Sequence, residues 1–351
     1  MTTRYAIDGL KDFVTSLFSA AGMPDADADV CADAFVLQEV RGVKTHGLRR
    51  LRQRVDEVRQ GGVNVRPKRR VIREDGATVI IDADSGNGIL GCVEGMDRAV
   101  GLAKRFGIGY AIVVNSNHFL AAAPYVIRAA EAGTIGIALA NGQSSMAYPG
   151  TNVGALGNSP MGYALPTGAG FPIVFDSALT ISGGRMMQLV QEGAQMPDGF
   201  FGYDASGNYT SDPAAVHGGG VALPIGMHKG AGLAVLIDVL TGVISGRSFL
   251  RTLVPDDRPE WRWTRNTHSF IAIEIERFMP LDVFRAQMAA YIADLKDKPL
   301  APGYKEILLP GERAARSVED CTRNGVPVED DVVEHLADLS QRYSVPLPAQ
   351  L

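Results

Sequence analysis

The chain has 351 residues, and its 34 Lys and Arg against 39 Asp and Glu give a net charge of −5. With 46% hydrophobic and 21% charged residues, it has the composition of a globular protein, which excludes extended disorder. The acidic balance leaves nucleic acid without an electrostatic footprint. Glycine is abundant at 40 residues, against an average near 7%, and it has no three-residue period, so a collagen-like chain is excluded as well.

The first 60 residues read as helical. Leu10, Phe13, Val14, Leu17, Phe18 and Ala21 fall on one helical face, with Asp8 as the expected N-cap. A second helix is expected over about Ala26–Val40. A third is expected from Thr45 to about Gln60, with Leu48, Leu51, Val55 and Val58 facing the core and Gly61-Gly62 ending it. The basic cluster Arg66, Lys68, Arg69, Arg70 and Arg73 lies beside a proline and reads as a solvated loop or edge strand.

From Ala77 the period changes. ATVIIDA reads as a strand, Val93–Arg105 as a helix and Tyr110–Val114 as a strand. Ala122–Gly133 reads as a helix, followed by the buried strand TIGIALAN. This alternation argues for an α/β architecture. Residues 132–175 contain no Asp, Glu, Lys, Arg or His, but nine glycines and four prolines. A lipid-exposed span could not satisfy such a backbone, so the stretch reads as buried strands and close-approach loops. Gly230–Ser245 is expected to be an apolar buried helix, Ser269–Ile275 a strand, and Leu281–Leu295 and Asp331–Tyr343 amphipathic helices.

Cys31, Cys92 and Cys321 are far apart and odd in number. They point to reduced thiols and a cytoplasmic location, with no disulfide framework. The N-terminus lacks the apolar run of a signal peptide. His217, His228, His268 and His335 show no metal-ligand spacing, so no metal site is expected.

Three segments carry candidate chemistry. Gly86–Gly91 matches G-x-G-x-x-G between a strand and a helix. Yet the acid expected about 20 residues later is missing, and Asp82 and Asp84 stand where they would repel a pyrophosphate. It reads as a tight turn, with a classical Rossmann dehydrogenase as the alternative. Thr45 is placed to cap the third helix, with His46 in its first turn and Arg50 on the same face four residues on. A helix N-terminus disfavours imidazolium, so His46 is expected to be neutral. A proton-moving histidine beside a guanidinium suits a 2-keto or 2-hydroxy acid. A surface His and Arg sharing one helix is the plain alternative. His118, in Asn115-Ser116-Asn117-His118-Phe119, lies just past the carboxyl end of a strand, where α/β folds tend to bind ligands. It is either a second acid/base group or a hydrogen-bonded core histidine.

RGVKTHGLRRL at Arg41–Leu51 resembles the RGxxSHGxxRL signature of the malate/L-lactate dehydrogenase family, a group of NAD(P)-dependent oxidoreductases distinct from the Rossmann dehydrogenases. Its members include ureidoglycolate dehydrogenase, L-sulfolactate dehydrogenase, diketogulonate reductase and Δ1-piperideine-2-carboxylate reductase. Further resemblance runs through NSNHFLAAAPYVIRAAEAGTIGIALAN, GALGNSPMGYALP, IVFDSALT, LPIGMHKGAGLAVLIDVLTGVISG, HSFIAIEIERFMP and ILLPGER.

The resemblance implies hydride transfer between NAD or NADP and a 2-keto acid or cyclic imine, in a homodimer. The expected fold is α/β, with a non-Rossmann mixed-sheet cofactor domain, a helical N-terminal region and C-terminal helices. The expected division is 1–72 for the helical region carrying the His/Arg motif, 73–121 plus 266–351 for the substrate and dimerisation domain, and 122–265 for the glycine-rich cofactor domain. By resemblance His46 is the proton donor or acceptor oriented by Thr45, Arg50 binds the substrate carboxylate, and His118 is a second acid/base candidate beside the cofactor. Asn158, Phe175, Asp176, Ser177, Arg185, His228, Lys229, Gly230, Gly311, Glu312 and Arg313 match cofactor-contacting positions.

Departures from the family pattern are Thr45 for serine, Leu120 for a glycine and Ala231 for a tyrosine. Leu120 is expected to crowd His118, and Ala231 to enlarge the pocket toward a substrate larger than pyruvate. A catalytically dead ligand-binding member of the same fold is the remaining alternative.

Overall fold

A computed structural model describes residues 3–181, 193, 202–253 and 265–351. Helices α1 (Ile7–Ala20) and α3 (Leu51–Arg59) bury the faces that their spacing predicts, and α2 (Asp25–Val40) is buried on more than one side. They do not form a core alone. Leu10, Leu17, Phe35, Leu51 and Val55 share one apolar cluster with Val326, Val332, Leu336 and Leu339 from the other end of the chain. Strand β1 (Thr3–Tyr5) pairs antiparallel with the late strand β14 (Val326–Val328), tying the two ends together.

The central sheet has seven strands. They are β2 (Arg70–Asp75), β3 (Thr78–Asp82), β4 (Ile108–Ser116), β13 (Asn266–Glu274), β5 (Thr134–Ala140), β8 (Met161–Leu165) and β9 (Ile173–Ser177), in that spatial order. Only β3 and β4 run parallel; the other neighbours are antiparallel, so the sheet is mixed. Of the basic cluster, Arg70 and Arg73 fall on β2, an exposed edge strand, and Arg66, Lys68 and Arg69 lie in the loop before it. Helices α4 (Gly88–Phe106) and α5 (Ala123–Glu131) cover one sheet face through a core that includes Ile81, Met96, Tyr125 and Phe270.

A second sheet of five short strands runs β11 (Tyr209–Thr210), β10 (Gly202–Tyr203), β12 (Val221–Ala222), β6 (Met146–Ala147) and β7 (Gly154–Leu156). Helix α6 (Pro213–His217) lies between β11 and β12, and α7 (His228–Asp238) follows β12. Helices α8 (Leu281–Lys296), α9 (Glu312–Asn324) and α10 (Asp330–Tyr343) complete the chain. Cys31, Cys92 and Cys321 are buried free thiols. Among the described residues no helix is long and apolar enough to cross a membrane.

Three local expectations change. Asp8 lies inside the first turn of α1, whose N-cap is Ala6. The third helix does not begin at Thr45: residues 44–50 form two 3-10 turns, Lys44–His46 and Leu48–Arg50, broken by Gly47. The segment after Gly230 is helical but only half buried. It ends in a π-helical turn, Val239–Val243, and leaves Leu233, Leu236, Val239, Val243 and Ile244 exposed. An uninterrupted apolar run cannot distinguish a core helix from one with an open apolar face.

The G-x-G-x-x-G segment opens α4 in the context a dinucleotide fingerprint would need, but its helix terminus is filled. Asn87 caps it by accepting the Ile89 N–H at 3.0 Å. A Cβ at Gly88 would collide with the carbonyl oxygens of Asn117 and His118. Glycine here admits the backbone that follows β4, and a phosphate has no room.

Candidate active site

One cavity of about 1350 Å³ lies between the 44–50 segment, the turn after β4, the end of β9 and the start of α9. It collects Thr45, His46, Arg50, His118, Asn158, Asp176, Ser177, Gly311 and Arg313 from across the sequence.

The 44–50 turn is held on two sides. From α2, the buried carboxylate of Glu39 accepts the Leu48 N–H at 2.9 Å. Burial raises this carboxyl, opposed by the Leu48 hydrogen bond. A Cβ at Gly47 would come 3.2 Å from the Glu39 carboxyl carbon and closer still to Oε2, so residue 47 has to be small. On the other side, Lys44 pairs with Glu329 at 3.0 Å, and Arg49 joins Glu329 and Asp331 at the start of α10. Lys44 and Arg49 thus point away from the cavity and pin the turn that carries His46.

The His46 and His118 rings stack with centroids 6.4 Å apart and planes 15° apart. Burial lowers the His46 pKa to about 4, helped by the Arg50 and Arg54 guanidiniums. The expected neutrality is therefore found, but desolvation causes it rather than a helix terminus. His118 is held well below its ordinary value by burial, then by Arg54 and His46.

The two rings differ in how they are held. His118 Nδ1 accepts the backbone N–H of Leu120 at 3.0 Å, which leaves Nε2 to carry the proton of a neutral ring. A backbone amide can only donate, so this tautomer is fixed. His46 Nδ1 instead faces the Thr45 hydroxyl at 3.0 Å. A hydroxyl donates or accepts, so His46 can gain and lose a proton without losing its partner. Leu120 reaches His118 through a left-handed backbone, φ 70°, and buries its side chain in the helical core. A third histidine, His268 on β13, stacks on Phe119 at 5.0 Å and bonds the Asn117 carbonyl at 3.0 Å. Burial lowers it to about 4.

Arg50 bonds the Thr45 carbonyl at 3.3 Å and Gln53 at 3.5 Å, both long, so its guanidinium is lightly engaged. Arg54 also lines the cavity, one helical turn on, with Glu57 as its ion-pair partner. Farther along lie Arg41 and Arg313, with the N-terminus of α9, whose N-cap Gly311 brings no capping side chain. Asp176 faces the cavity there and accepts the Ala123 N–H at 2.8 Å, capping α5. Its side chain is exposed to the cavity. Burial raises its carboxyl, opposed by the Ala123 and Ala122 amides and then Arg41.

Other predicted residues lie outside the lining. Phe175 stacks on Tyr163 at 5.3 Å. Glu312 is taken up by Lys296 at 2.6 Å, Arg316 at 2.8 Å and the Leu309 N–H at 3.2 Å. His228 and Lys229 are exposed at the start of α7, and Gly230 packs on the backbone of Ile225. Arg185 falls outside the described residues. Ala231 is buried in a cluster with Leu139 and Met146, so it does not enlarge the cavity. Among the described residues no three His, Cys, Asp or Glu side chains converge as a metal site would require.

Sequence reasoning missed Arg54 and His268 as lining residues. Arg54 was within reach, since it continues the i, i+4 spacing from Arg50. His268 was not, because only the pairing of β13 with β4 brings it to the site.

The family model of malate/L-lactate dehydrogenases matches residues 5–337. A malate dehydrogenase from Pyrococcus horikoshii is 33% identical over 346 residues, covering 96% of this chain and 95% of that protein. L-sulfolactate dehydrogenase from Methanocaldococcus jannaschii is 30% identical over 330 residues, covering 94% of each. The solved structure of malate dehydrogenase from Entamoeba histolytica superposes with a TM-score of 0.93 at 28% identity, covering 99% of this chain and 100% of that one. With its matched fold and signature, the chain belongs to the malate/L-lactate dehydrogenase family.

Proposed function

We propose that the chain is an oxidoreductase interconverting a 2-keto acid, or a cyclic imine carboxylate, and its reduced 2-hydroxy or amino acid counterpart with NAD or NADP. The observation that carries this reading is the convergence of His46, His118 and Arg50 on one cavity. At about 1350 Å³, that cavity exceeds the roughly 300–1,000 Å³ typical of small-molecule sites, leaving room for a dinucleotide beside a small acid.

The far end of the cavity fits such a cofactor in charge. Arg41 and Arg313 stand there with the open N-terminus of α9, and the Arg41 Nε has no partner among the described residues. These groups suit a pyrophosphate. Asp176, Ser177 and Asn158 would hold the remainder. When bound, the nicotinamide supplies the hydride. Arg50 fixes the substrate carboxylate, and His118 offers its fixed Nε2–H. His46 moves the proton, exchanging hydrogen-bond direction with Thr45 as it does so.

The same reading includes a homodimer, supported by the exposed apolar row Leu233, Leu236, Val239, Val243 and Ile244. It also includes a cytoplasmic location, supported by three free thiols.

The test is loss of reduced-nicotinamide absorbance with a panel of 2-keto acids and cyclic imines, run with both NADH and NADPH. Turnover of at least one pair is expected. A flat trace across the panel, from protein shown to be folded, would leave a ligand-binding protein without chemistry.

A further inference from the structure

The turn that follows β4 carries His118 between two empty spaces. One is the cavity. The other is a void of about 10 Å³, space for about one water, against Asn117, His118 and Leu120. Where no atoms pack behind a group, the contacts that would immobilise it are missing. The position of His118 therefore depends on what ties its turn to the rest of the protein.

The ties come from three elements. The Asn117 side-chain amide donates to the Ser85 and Gly86 carbonyls, before α4, at 2.8 and 2.9 Å. From α5, the Tyr125 hydroxyl donates to the Phe119 carbonyl. From β13, His268 Nε2 meets the Asn117 carbonyl at 3.0 Å. The neighbouring Ser116 hydroxyl also approaches this carbonyl, but at 3.5 Å, a length at which a hydrogen bond is weak. The Asn117 carbonyl belongs to the rigid peptide unit that joins Asn117 to His118. A donor fixed on it sets the plane from which His118 leaves the chain.

His268 is chemically odd for a core position. A carbonyl only accepts, so Nε2 carries the proton. Burial lowers the His268 pKa to about 4, against the Asn117 bond, which raises it. The ring is therefore neutral and Nδ1 is a bare acceptor, with no partner among the described residues. An unpaired buried acceptor is destabilising. A phenyl ring would avoid that penalty and could still stack on Phe119, as His268 does with planes 11° apart. What a phenyl ring lacks is the Nε2–H. Although His268 borders the cavity, it is only 1% exposed, so it acts through the turn rather than on a ligand.

We propose that His268 is a positioning residue for His118: its Nε2–H anchors the Asn117 peptide, and so holds the His118 Nε2–H at the substrate oxygen or imine nitrogen. This rests on the function proposed above. The anchor also protects the His118 tautomer. That tautomer depends on the Leu120 N–H, and Leu120 has a left-handed backbone, φ 70°, which persists in a leucine only where its surroundings enforce it. Release of the Asn117 carbonyl lets the turn relax, and the direction and tautomer of His118 are lost together.

The experiment compares the parent with His268→Phe, which keeps a ring for Phe119 and loses the donor, and with His268→Gln, which loses the ring and keeps a side-chain N–H. Thermal unfolding confirms that each is folded. The readouts are kcat, KM, nicotinamide affinity by fluorescence, and the nitrogen NMR shifts of the His118 ring, which report its tautomer. A misplacement of about 1 Å costs about 10²-fold in rate, so His268→Phe is expected to lower kcat about 10–100-fold. Nicotinamide affinity should change little, and the His118 ring should pass from one Nε2-protonated form to a mixture of tautomers. His268→Gln should recover most of the lost kcat and the single tautomer, although its packing is the poorer of the two. Full turnover in His268→Phe overturns the proposal. So does a His268→Gln no better than His268→Phe, because packing of the ring rather than its donor then matters. An unchanged His118 tautomer in His268→Phe overturns it as well, whether or not the protein turns over. Absence of turnover in the parent with every substrate and both nicotinamides overturns the function reading instead, and the NMR shifts then decide alone whether His268 governs His118.

Discussion

Replacing Gly47 with alanine tests whether Glu39 holds the turn that carries His46. The Gly47 backbone has φ −100° and ψ −141°, so it is not in the left-handed region that favours glycine. The obstacle is the Glu39 carboxylate: a new methyl would sit 3.2 Å from its carbon and 3.3 Å from the Glu39 backbone nitrogen, and closer still to Oε2. Glu39 is only 5% exposed, so it cannot swing into solvent. Displacement breaks its hydrogen bond to the Leu48 N–H and strands both groups. A charge-assisted hydrogen bond contributes about 1.5–3 kcal/mol, and stranding a buried charge costs about 3–5 kcal/mol. We expect Gly47→Ala to lose about 3–4 kcal/mol of unfolding free energy, measured by urea denaturation. Glu39→Ala should cost about 1–3 kcal/mol by leaving one amide unpaired. In that background, Gly47→Ala should cost clearly less, because the clash with the carboxylate has gone and only the 3.3 Å approach to the residue 39 backbone nitrogen remains. A Gly47→Ala cost that is the same with and without Glu39 would refute the reasoning.

Three further outcomes are expected. His46→Ala should lower kcat by about 10²–10⁴-fold, the range of general acid–base catalysis, while nicotinamide affinity measured by fluorescence stays within a few-fold; full turnover would shift the proton to His118. Arg50→Lys should raise KM about tenfold with a smaller change in kcat, since it loses a bidentate grip made before the reaction; an unchanged KM would remove Arg50 from the carboxylate. The third concerns pH. His46 and His268 are held at about 4, and His118 well below its ordinary value, all mainly by burial. The unfolded chain binds protons at these sites below about pH 6.5, where the folded chain does not. Stability should therefore be fully present above pH 6.5 and fall as pH drops toward 4. The slope should reach about 1.4 kcal/mol per pH unit for each histidine, softened by Glu39 and Asp176, whose raised carboxyls act in the opposite sense. Equal urea midpoints at pH 7.5 and 5.5 would contradict this.

Much of the local structure was legible. The spacing of Leu51, Val55 and Val58 identified a buried helical face, and Thr134–Ala140 read as a buried strand because it is uncharged and β-prone. The motif around Thr45-His46 located one wall of the site, since these residues are neighbours in sequence.

Contacts between distant segments were not legible. No periodicity predicts that the antiparallel strand β13 inserts between β4 and β5, yet that insertion delivers His268. The sequence could not show that Glu39 occupies the space at Gly47, that Leu120 fixes the His118 tautomer, or that Asp176 is committed to capping α5. Each depends on where a side chain or amide from another element ends up. The sequence by itself determined which segments form helices and strands, which faces they bury and where the reactive side chains sit along the chain, because those follow from local propensity and spacing. The tertiary structure decided which of those side chains share one cavity, because solvent exclusion and charge at each histidine are set by elements far away in the chain.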